Sequence, residues 1–295
     1  VDGGAQRRAS ARLGCPVPLP RGPVPPAALA YSAPPPGSVS LWHDVALHVG
    51  TWLDEGTGLF HYVNEMPLGT LRKFEVQPGE VGNAIVEDPV GSERLRAFGR
   101  PLTFNYGCFP QTYRDPEKVD RLYGAPGDDD PLDVLDLGAT AVGVGEVVRC
   151  RPLGAVCLID EGQADWKILA VNVDQPGPLA AARSVADVER AAPGRVSEVL
   201  QWIDDFKQSS GKGTAKLHCE VHGARQAVEL IEEDHASWRA LLAGAGADGL
   251  ARGHWIRSAQ PRPQAARIGW ASPTWPPAAG TQTGSALAGA LRVAP

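Results

Sequence analysis

The sequence is short of several features that would assign it to a specialised class. It has five cysteines (Cys15, Cys108, Cys150, Cys157 and Cys219), odd in number, scattered, and with no C-x-x-C pair. Neither a zinc ribbon nor a disulfide framework follows from such spacing, and a reducing compartment is the simple reading. No apolar run approaches the ~18 residues that cross a bilayer, which excludes an integral helical membrane protein. The 34 glycines follow no three-residue period, so a collagen-like chain is excluded as well. No internal repeat is visible. The 47 residues of 249–295 hold five arginines and not one acid. What remains is ordinary globular composition: 295 residues, 43% hydrophobic and 21% charged.

The net charge of −6 is unevenly distributed. Residues 1–40 carry four arginines and one acid, so 41–248 hold 19 bases against 33 acids, a net of −14. A core this acidic argues against nucleic acid, which needs a basic footprint. It suits a protein that holds multivalent cations, or simply an acidic surface. Nine of the 27 prolines fall in residues 1–40, and this segment has no periodic apolar face. It reads either as an organelle transit peptide or as a disordered leader without an address. The implied location is intracellular and soluble: cytoplasmic, or plastid or mitochondrial if 1–40 is a transit peptide. The 249–295 tail is rich in Ala, Pro, Gly and Arg, with Trp255, Trp270 and Trp275 at no regular spacing. It reads as irregular, with some tryptophans free to pack on the core.

Between these flanks, 41–248 is long enough to form a domain with its own core. Short Val/Ile/Leu-rich strands are expected at Leu59–Glu65, Lys73–Val76, Leu132–Leu137, Val142–Val148, Leu153–Ile159 and Lys167–Val173. Near-continuous apolar runs such as Ile168–Val171 suit strands buried on both faces, as in a closed barrel. Two helices follow from the 3.6 period: Val196, Val199, Leu200, Ile203 and Phe206 in one, Ala224 to Leu242 in the other. His235 lies on the second apolar stripe and reads as a core histidine. The expected class is α+β, a closed five-stranded β-barrel core with flanking helices and irregular N- and C-terminal extensions.

The densest chemical signal is Gly127-Asp128-Asp129-Asp130-Pro131-Leu132-Asp133-Val134-Leu135-Asp136, with five carboxylates in nine residues. Clustered carboxylates raise one another's pKa unless a cation intervenes, and Mg²⁺ prefers oxygen ligands of this kind. An EF-hand fails here, because a loop starting at Asp128 puts Leu132 at its fifth position and lacks the glycine at its sixth. A second acidic loop, Asp160-Glu161-Gly162-Gln163-Ala164-Asp165-Trp166-Lys167, lies between two apolar strands, with Asp165 and Lys167 on one side of a strand. Lys73 and Glu75 share a strand face after Glu65, and Asn105–Thr112 presents Tyr106. Taken singly, each is also explained as an ordinary turn or strand edge.

Taken together and in order, these segments resemble the soluble inorganic pyrophosphatases of the metal-dependent, barrel-containing family, in the eukaryotic-type form. Asp128–Val134, Asn105–Thr112, Asp160–Lys167, Trp42-His43-Asp44 and His235–Trp238 carry the likeness, which spans about residues 41–243. The resemblance implies Mg²⁺-dependent hydrolysis of diphosphate to two phosphates, a small-molecule substrate with no nucleic-acid or membrane partner, and allows a homodimer. It implies metal ligation by Asp128, Asp133, Asp165, Asp160 and Glu75, with Glu65 a further acid of the site. Asp130 takes the role of general base, and Lys73, Arg96, Tyr106, Lys167 and Lys207 bind the phosphates, Lys73, Tyr106 and Arg96 also serving catalysis. Arg94 competes with Arg96 for its place. The sequence also departs from that pattern: Leu68-Gly69 replaces a usual Arg-Trp, Phe206 stands where tyrosine is common, and Arg114 replaces an acid. Those departures motivate the alternative of a catalytically weakened metal- or phosphate-binding or interaction module.

Overall fold

The computed structural model describes residues 39–49, 58–209, 216–244 and 253–256. The leader up to residue 38, Trp270 and Trp275 lie outside the described residues. Eight strands and four α-helices follow in order: β1 (Phe60–Met66), β2 (Lys73–Val76), β3 (Ile85–Asp88), α1 (Pro89–Phe98), β4 (Asn105–Cys108), β5 (Asp133–Asp136), β6 (Val147–Asp160), β7 (Gln163–Asn172), α2 (Val185–Ala191), α3 (Arg195–Ser209), β8 (Lys216–Gly223) and α4 (Ala224–Ala243). No described helix is long and apolar enough to cross a membrane.

The main sheet is mixed, in the order β1-β4-β5-β7-β6-β8, and β1 also pairs with β6. Only β5–β7 is parallel within it. β6 and β7 form the longest hairpin, joined through Glu161-Gly162. Both turn residues have positive φ, 50° and 86°, the conformation a two-residue loop needs to match strand twist, and glycine supplies it without steric cost. The two segments expected at Val142–Val148 and Leu153–Ile159 are resolved differently. Residues 147–160 form one strand, with a register shift at Pro152/Gly154. Val142 and Gly143 instead lie in an irregular segment before a turn, and their carbonyls accept from the buried Asn64 amide. β3, β4, β8, α1 and α2 were not expected from the periodicity.

Alternation along the central strands feeds two apolar clusters. Val134, Ile168, Ala170 and Trp166 face one, with Phe60, Tyr62, Phe109 and Leu132. Leu135, Leu169, Val171 and Val156 face the other, under Leu95 of α1 and Val196, Val199, Trp202 and Ile203 of α3. Each such side chain, fully buried, contributes about 1.5–3 kcal/mol. The second cluster therefore fastens α1 and α3 over one face of β5 and β7, and the candidate site opens beside it. His235 stacks on Trp238 and its Nδ1 lies 2.7 Å from the Gln111 carbonyl, a satisfied packing histidine as the stripe suggests.

A third cluster joins the ends of the core: Trp42, Val45, Val63, Tyr113, Trp238 and Leu241, with Ile256 against it. Two boundaries move as a result. Ser40, assigned to the leader by composition, is fully buried; its hydroxyl donates to Asn83 Oδ1 (2.7 Å) and accepts from the His43 N–H (2.8 Å). Gly253–Ile256, assigned to the tail, packs on the core, where the Trp255 N–H donates to the Pro78 carbonyl (2.7 Å).

His43 ties these ends together. Its Nδ1 accepts from Trp238 Nε1–H (2.9 Å), so the ring proton sits on Nε2, 3.2 Å from the Trp255 carbonyl it donates to. Burial, above all, lowers its pKa from 6.5 to about 4. A second proton would force Nδ1–H against the Trp238 N–H. Because the unfolded chain takes up this proton first, the stabilisation is complete above pH 6.5 and is lost as pH falls from 6.5 through about 4. The loss should reach about 3 kcal/mol. Denaturant unfolding of wild type and His43→Gln at pH 7, 5.5 and 4 checks it: the variant should lose less stability across that window, and parallel profiles would exclude His43 as the cause.

Candidate active site

Strand register assembles the site. Cys108 of β4 lies opposite Asp133, and Tyr106 opposite Leu135. Asp133 in turn pairs with Lys167 of β7 in parallel register. Paired residues share a face, and every second residue repeats it. Tyr106, Cys108, Asp133, Asp165 and Lys167 are thereby delivered to one side of three adjacent strands. Asp136, three residues beyond Asp133, falls on the opposite face. It accepts from Tyr62 OH (3.0 Å), Asn105 Nδ2 (3.1 Å) and the Gly138 and Asn172 N–H groups, so the fifth acid of the run is a structural group outside the site.

A cavity of about 370 Å³ collects these side chains. Glu65, Lys73, Glu75, Tyr106, Asp128, Asp130, Asp133, Asp160, Asp165, Lys167 and Lys207 all line it, which covers the sequence-selected residues except one. Arg96 does not line the cavity, whereas Arg94 does. Residues two apart on a helix point roughly 200° apart, so α1 can present only one of them. Arg96 stands near Glu87 instead. The cavity wall also holds Cys108 and Asp88, which the sequence reading passed over. Cys108 was readable from the alternation with Tyr106, and Asp88 from the helix-start pattern Asp-Pro.

The centre of the site is Lys167. Its Nζ lies 2.7 Å from Asp133 Oδ2, 2.9 Å from Asp165 Oδ1 and 3.2 Å from the Tyr106 hydroxyl, and it is almost wholly buried. Burial works against its charge, but the two carboxylates prevail and hold its pKa above the ordinary lysine value. Burial, chiefly, then the Asp133 charge, keeps the Tyr106 phenol protonated far above its usual range, and it donates to Asp133 Oδ2. For Asp165 the pull of Lys167 and Lys207 outweighs burial, and its pKa is lowered.

The other acids lack such relief. Glu65 is buried and accepts from the Val76 N–H (2.7 Å); burial first, then the neighbouring acids, raises its pKa well above the carboxylate range. The same causes raise Asp128. Asp130 is pushed up to about 7 by the surrounding protein and by Asp133, Glu75 and Asp165, although its side chain opens into the cavity and water screens part of that push. Around the rim Lys73 pairs with Glu75 (2.7 Å) and Asp88 (3.3 Å), and Lys207 pairs with Asp160.

Among the described residues, no three acidic, histidine or cysteine side chains are gathered as a ready cation cage. Lys167 stands between Asp133 and Asp165 and supplies the positive charge there. The donor set nonetheless suits a hard divalent cation. Asp128 Oδ1 and Asp160 Oδ1 are buried with no hydrogen-bond partner, an unfavourable state for carboxylate oxygen that a bound cation removes.

Comparison with known proteins agrees with this geometry. The family model for inorganic pyrophosphatase matches residues 62–239. The chain is 36% identical over 212 residues to soluble inorganic pyrophosphatase 1, chloroplastic, of Chlamydomonas reinhardtii, covering 71% of this chain and 73% of that one. It is 33% identical over 211 residues to the inorganic pyrophosphatase of Mus musculus, covering 69% and 70%. Among solved structures, type I inorganic pyrophosphatase from Toxoplasma gondii superposes with a TM-score of 0.63 at 34% identity, covering 69% of this chain and 88% of that one. An N-terminally truncated vacuolar soluble pyrophosphatase of Trypanosoma cruzi, solved with PPi, gives 0.61 at 29% identity, covering 69% and 79%. The chain belongs to the inorganic pyrophosphatase family.

Lys167 is expected to carry much of the stability of the cation-free state. Lys167→Met leaves Asp133 and Asp165 buried without their nearest counter-charge, which should cost about 3 kcal/mol. Denaturant melts in chelator should show that loss, and millimolar Mg²⁺ should restore most of it. A variant as stable as wild type in chelator would show that the two acids are neutralised some other way.

Proposed function

We propose that the protein hydrolyses inorganic diphosphate to two phosphates with the help of Mg²⁺. The observation that carries the reading is the convergence of Asp128, Asp130, Asp133 and Asp165 with Lys73, Lys167 and Lys207 around one cavity, in a chain of this family. Asp128, Asp133, Asp165, Asp160 and Glu75 would hold the cations. When bound, such cations neutralise the phosphates and make coordinated water more acidic.

The chain's own groups account for the remaining steps. Water attacks one phosphorus, the bridging P–O bond breaks, and the departing phosphate takes the electron pair. Asp130, an exposed carboxylate lining the cavity beside the acids that would hold the cations, accepts the proton the water loses. Lys73, Lys167, Lys207, Tyr106 and Arg94, the last in place of Arg96, face the charge that builds on the phosphates. Bonding of β1 on both edges, to β4 and to β6, supports reading the sheet as a closed five-stranded barrel. The chloroplastic relative supports the transit-peptide reading of the leader.

Leu68 and Phe206 favour the second reading, a member that binds phosphate without efficient turnover. Leu68 does not line the cavity, and Phe206 lines it with a ring that cannot donate. Arg114 is excluded from this argument, because it is buried against Asp234 (3.1 Å) away from the cavity.

Phosphate release from diphosphate, with and without Mg²⁺, separates the two readings. Turnover should vanish in excess chelator, and Asp133→Asn should lower kcat at least about a hundredfold, the worth of roughly 2.7 kcal/mol. Full activity in that variant would remove Asp133 from the metal set. Phe206 stacks on Trp202 (centroids 5.3 Å apart) with its edge on the cavity. Phe206→Tyr should therefore change stability by less than about 1 kcal/mol. It should raise kcat/KM up to about tenfold. Steady-state kinetics and thermal melts decide; unchanged activity with a lower melting point would show that a hydroxyl there finds no partner.

A further inference from the structure

The family model ends at residue 239, yet residues 253–256 beyond it return to the acidic loop. Trp255 anchors them. Its N–H donates to the Pro78 carbonyl (2.7 Å), and its carbonyl accepts from His43 Nε2 (3.2 Å) and Asn83 Nδ2 (3.3 Å). The neighbouring His254 is driven inward and is only 6% exposed. Its ring meets Trp42 and Tyr113 edge-on, at centroid distances of 5.7 and 5.6 Å. Its Nε2 lies 3.4 Å from Asp129 Oδ2. Its Nδ1 is buried with no hydrogen-bond partner, and the Asp129 carboxylate facing Nε2 can only accept, an arrangement that favours the neutral tautomer with its proton on Nε2.

Asp129 is the middle residue of the acidic loop and does not line the cavity, although Asp128 and Asp130 on either side do. Its φ is +70°, a left-handed conformation that aspartate tolerates better than most residues. The Tyr113 hydroxyl donates to its Oδ1 (2.5 Å). The backbone is bracketed too: the Asp129 N–H donates to the Arg114 carbonyl (3.0 Å), and the Arg114 N–H to the Asp130 carbonyl (2.9 Å). Gly127 closes the bracket, since a Cβ there would stand 2.6 Å from the Arg114 carbonyl oxygen. In so tight a turn, the outward direction of Asp129 and the inward directions of Asp128 and Asp130 are one backbone conformation. A group that holds Asp129 outward also aims its neighbours.

We infer that His254 is a positioning residue for the active site: from the C-terminal return it holds Asp129, and through Asp129 it fixes the loop conformation that presents Asp128 and Asp130 to cation and substrate. The inference rests on the diphosphatase reading. It adds to the site a residue that lies outside the family-matched segment. Groups that orient ligands in this way commonly alter metal affinity or activity by about 10- to 100-fold when removed.

The test uses the full chain and four variants: His254→Leu, His254→Gln, Asp129→Asn, and Asp129→Asn combined with His254→Leu. Mg²⁺ binding is titrated calorimetrically without substrate, and kcat, KM and melting temperature are measured alongside. His254→Leu should weaken Mg²⁺ binding and lower kcat by about tenfold with little change in KM. His254→Gln, whose amide can still donate to Asp129, should recover most of both. Asp129→Asn should resemble His254→Leu, and the double variant should be no worse than either single one, as expected for two members of one contact. Wild-type Mg²⁺ affinity and kcat in folded His254→Leu would overturn the inference, as would additive losses in the double variant. If His254→Leu does not fold, Asp129→Asn decides, and unchanged Mg²⁺ affinity in it overturns the inference. Wild-type protein that binds Mg²⁺ but releases no phosphate would fault the diphosphatase reading, while the calorimetric comparison would still judge His254.

Discussion

The placement of one ammonium group between two carboxylates is the constraint on which the rest of the site depends. Lys167 reaches Asp133 and Asp165 at once, and without it the cavity would be a collection of mutually repelling acids in partly buried surroundings. Its position is set by backbone pairing more than by side-chain packing. The parallel register of β5 and β7 puts Asp133 beside Lys167, and the pleat puts Asp165 on the same face. A slip of one residue in that register would send Lys167 into the apolar cluster around Val134 and Ile168. Both clusters flanking the central strands therefore serve the site, because they oppose that slip.

The carboxylate oxygens left without a partner explain the chemistry that the cavity is suited to. Burial and crowding raise Asp128, Asp130 and Glu65 together, and the unpaired oxygens of Asp128 and Asp160 point to the same deficit of positive charge. A polyanionic substrate would worsen the imbalance on its own. Divalent ions and lysines correct different parts of it: the ions answer the carboxylates, and the lysines answer the phosphates. Binding of cation or substrate is thus expected to favour binding of the other, the usual form of coupling between sites of opposite charge.

Much of this was legible in the sequence, in proportion to how local the signal was. The acidic loop, the hairpin acids and the alternation of Asp165 with Lys167 were visible because spacing along one strand fixes their face. β2 appeared at Lys73–Val76 as expected. α1 was missed although its local marks are plain: Asp88 caps it, Pro89 opens it, and Gly99 ends it in a left-handed conformation. Its apolar stripe is weak, and periodicity alone could not find it. The choice between Arg94 and Arg96 needed the direction in which α1 lies, which only tertiary packing supplies. Asp136 looked like its four acidic neighbours until an odd offset placed it on the opposite face. Arg114 and His254 were illegible for a different reason, since their partners are 120 and 125 residues away and no spacing rule connects them.

The turn at Glu161-Gly162 has a bearing on the order in which the site comes together. Asp160, Asp165 and Lys167 lie within eight residues and reach their relative positions when a two-residue loop closes, a fast and local event. Asp133 must join them across a separation of 34 residues, by a parallel pairing that costs more chain entropy. The ammonium group of Lys167 is therefore expected to be in place before the acidic loop joins it. Like charges that would repel an incoming strand meet instead a lysine already held in register, so the sequence order of the two acidic loops guards assembly against the repulsion that the finished site contains.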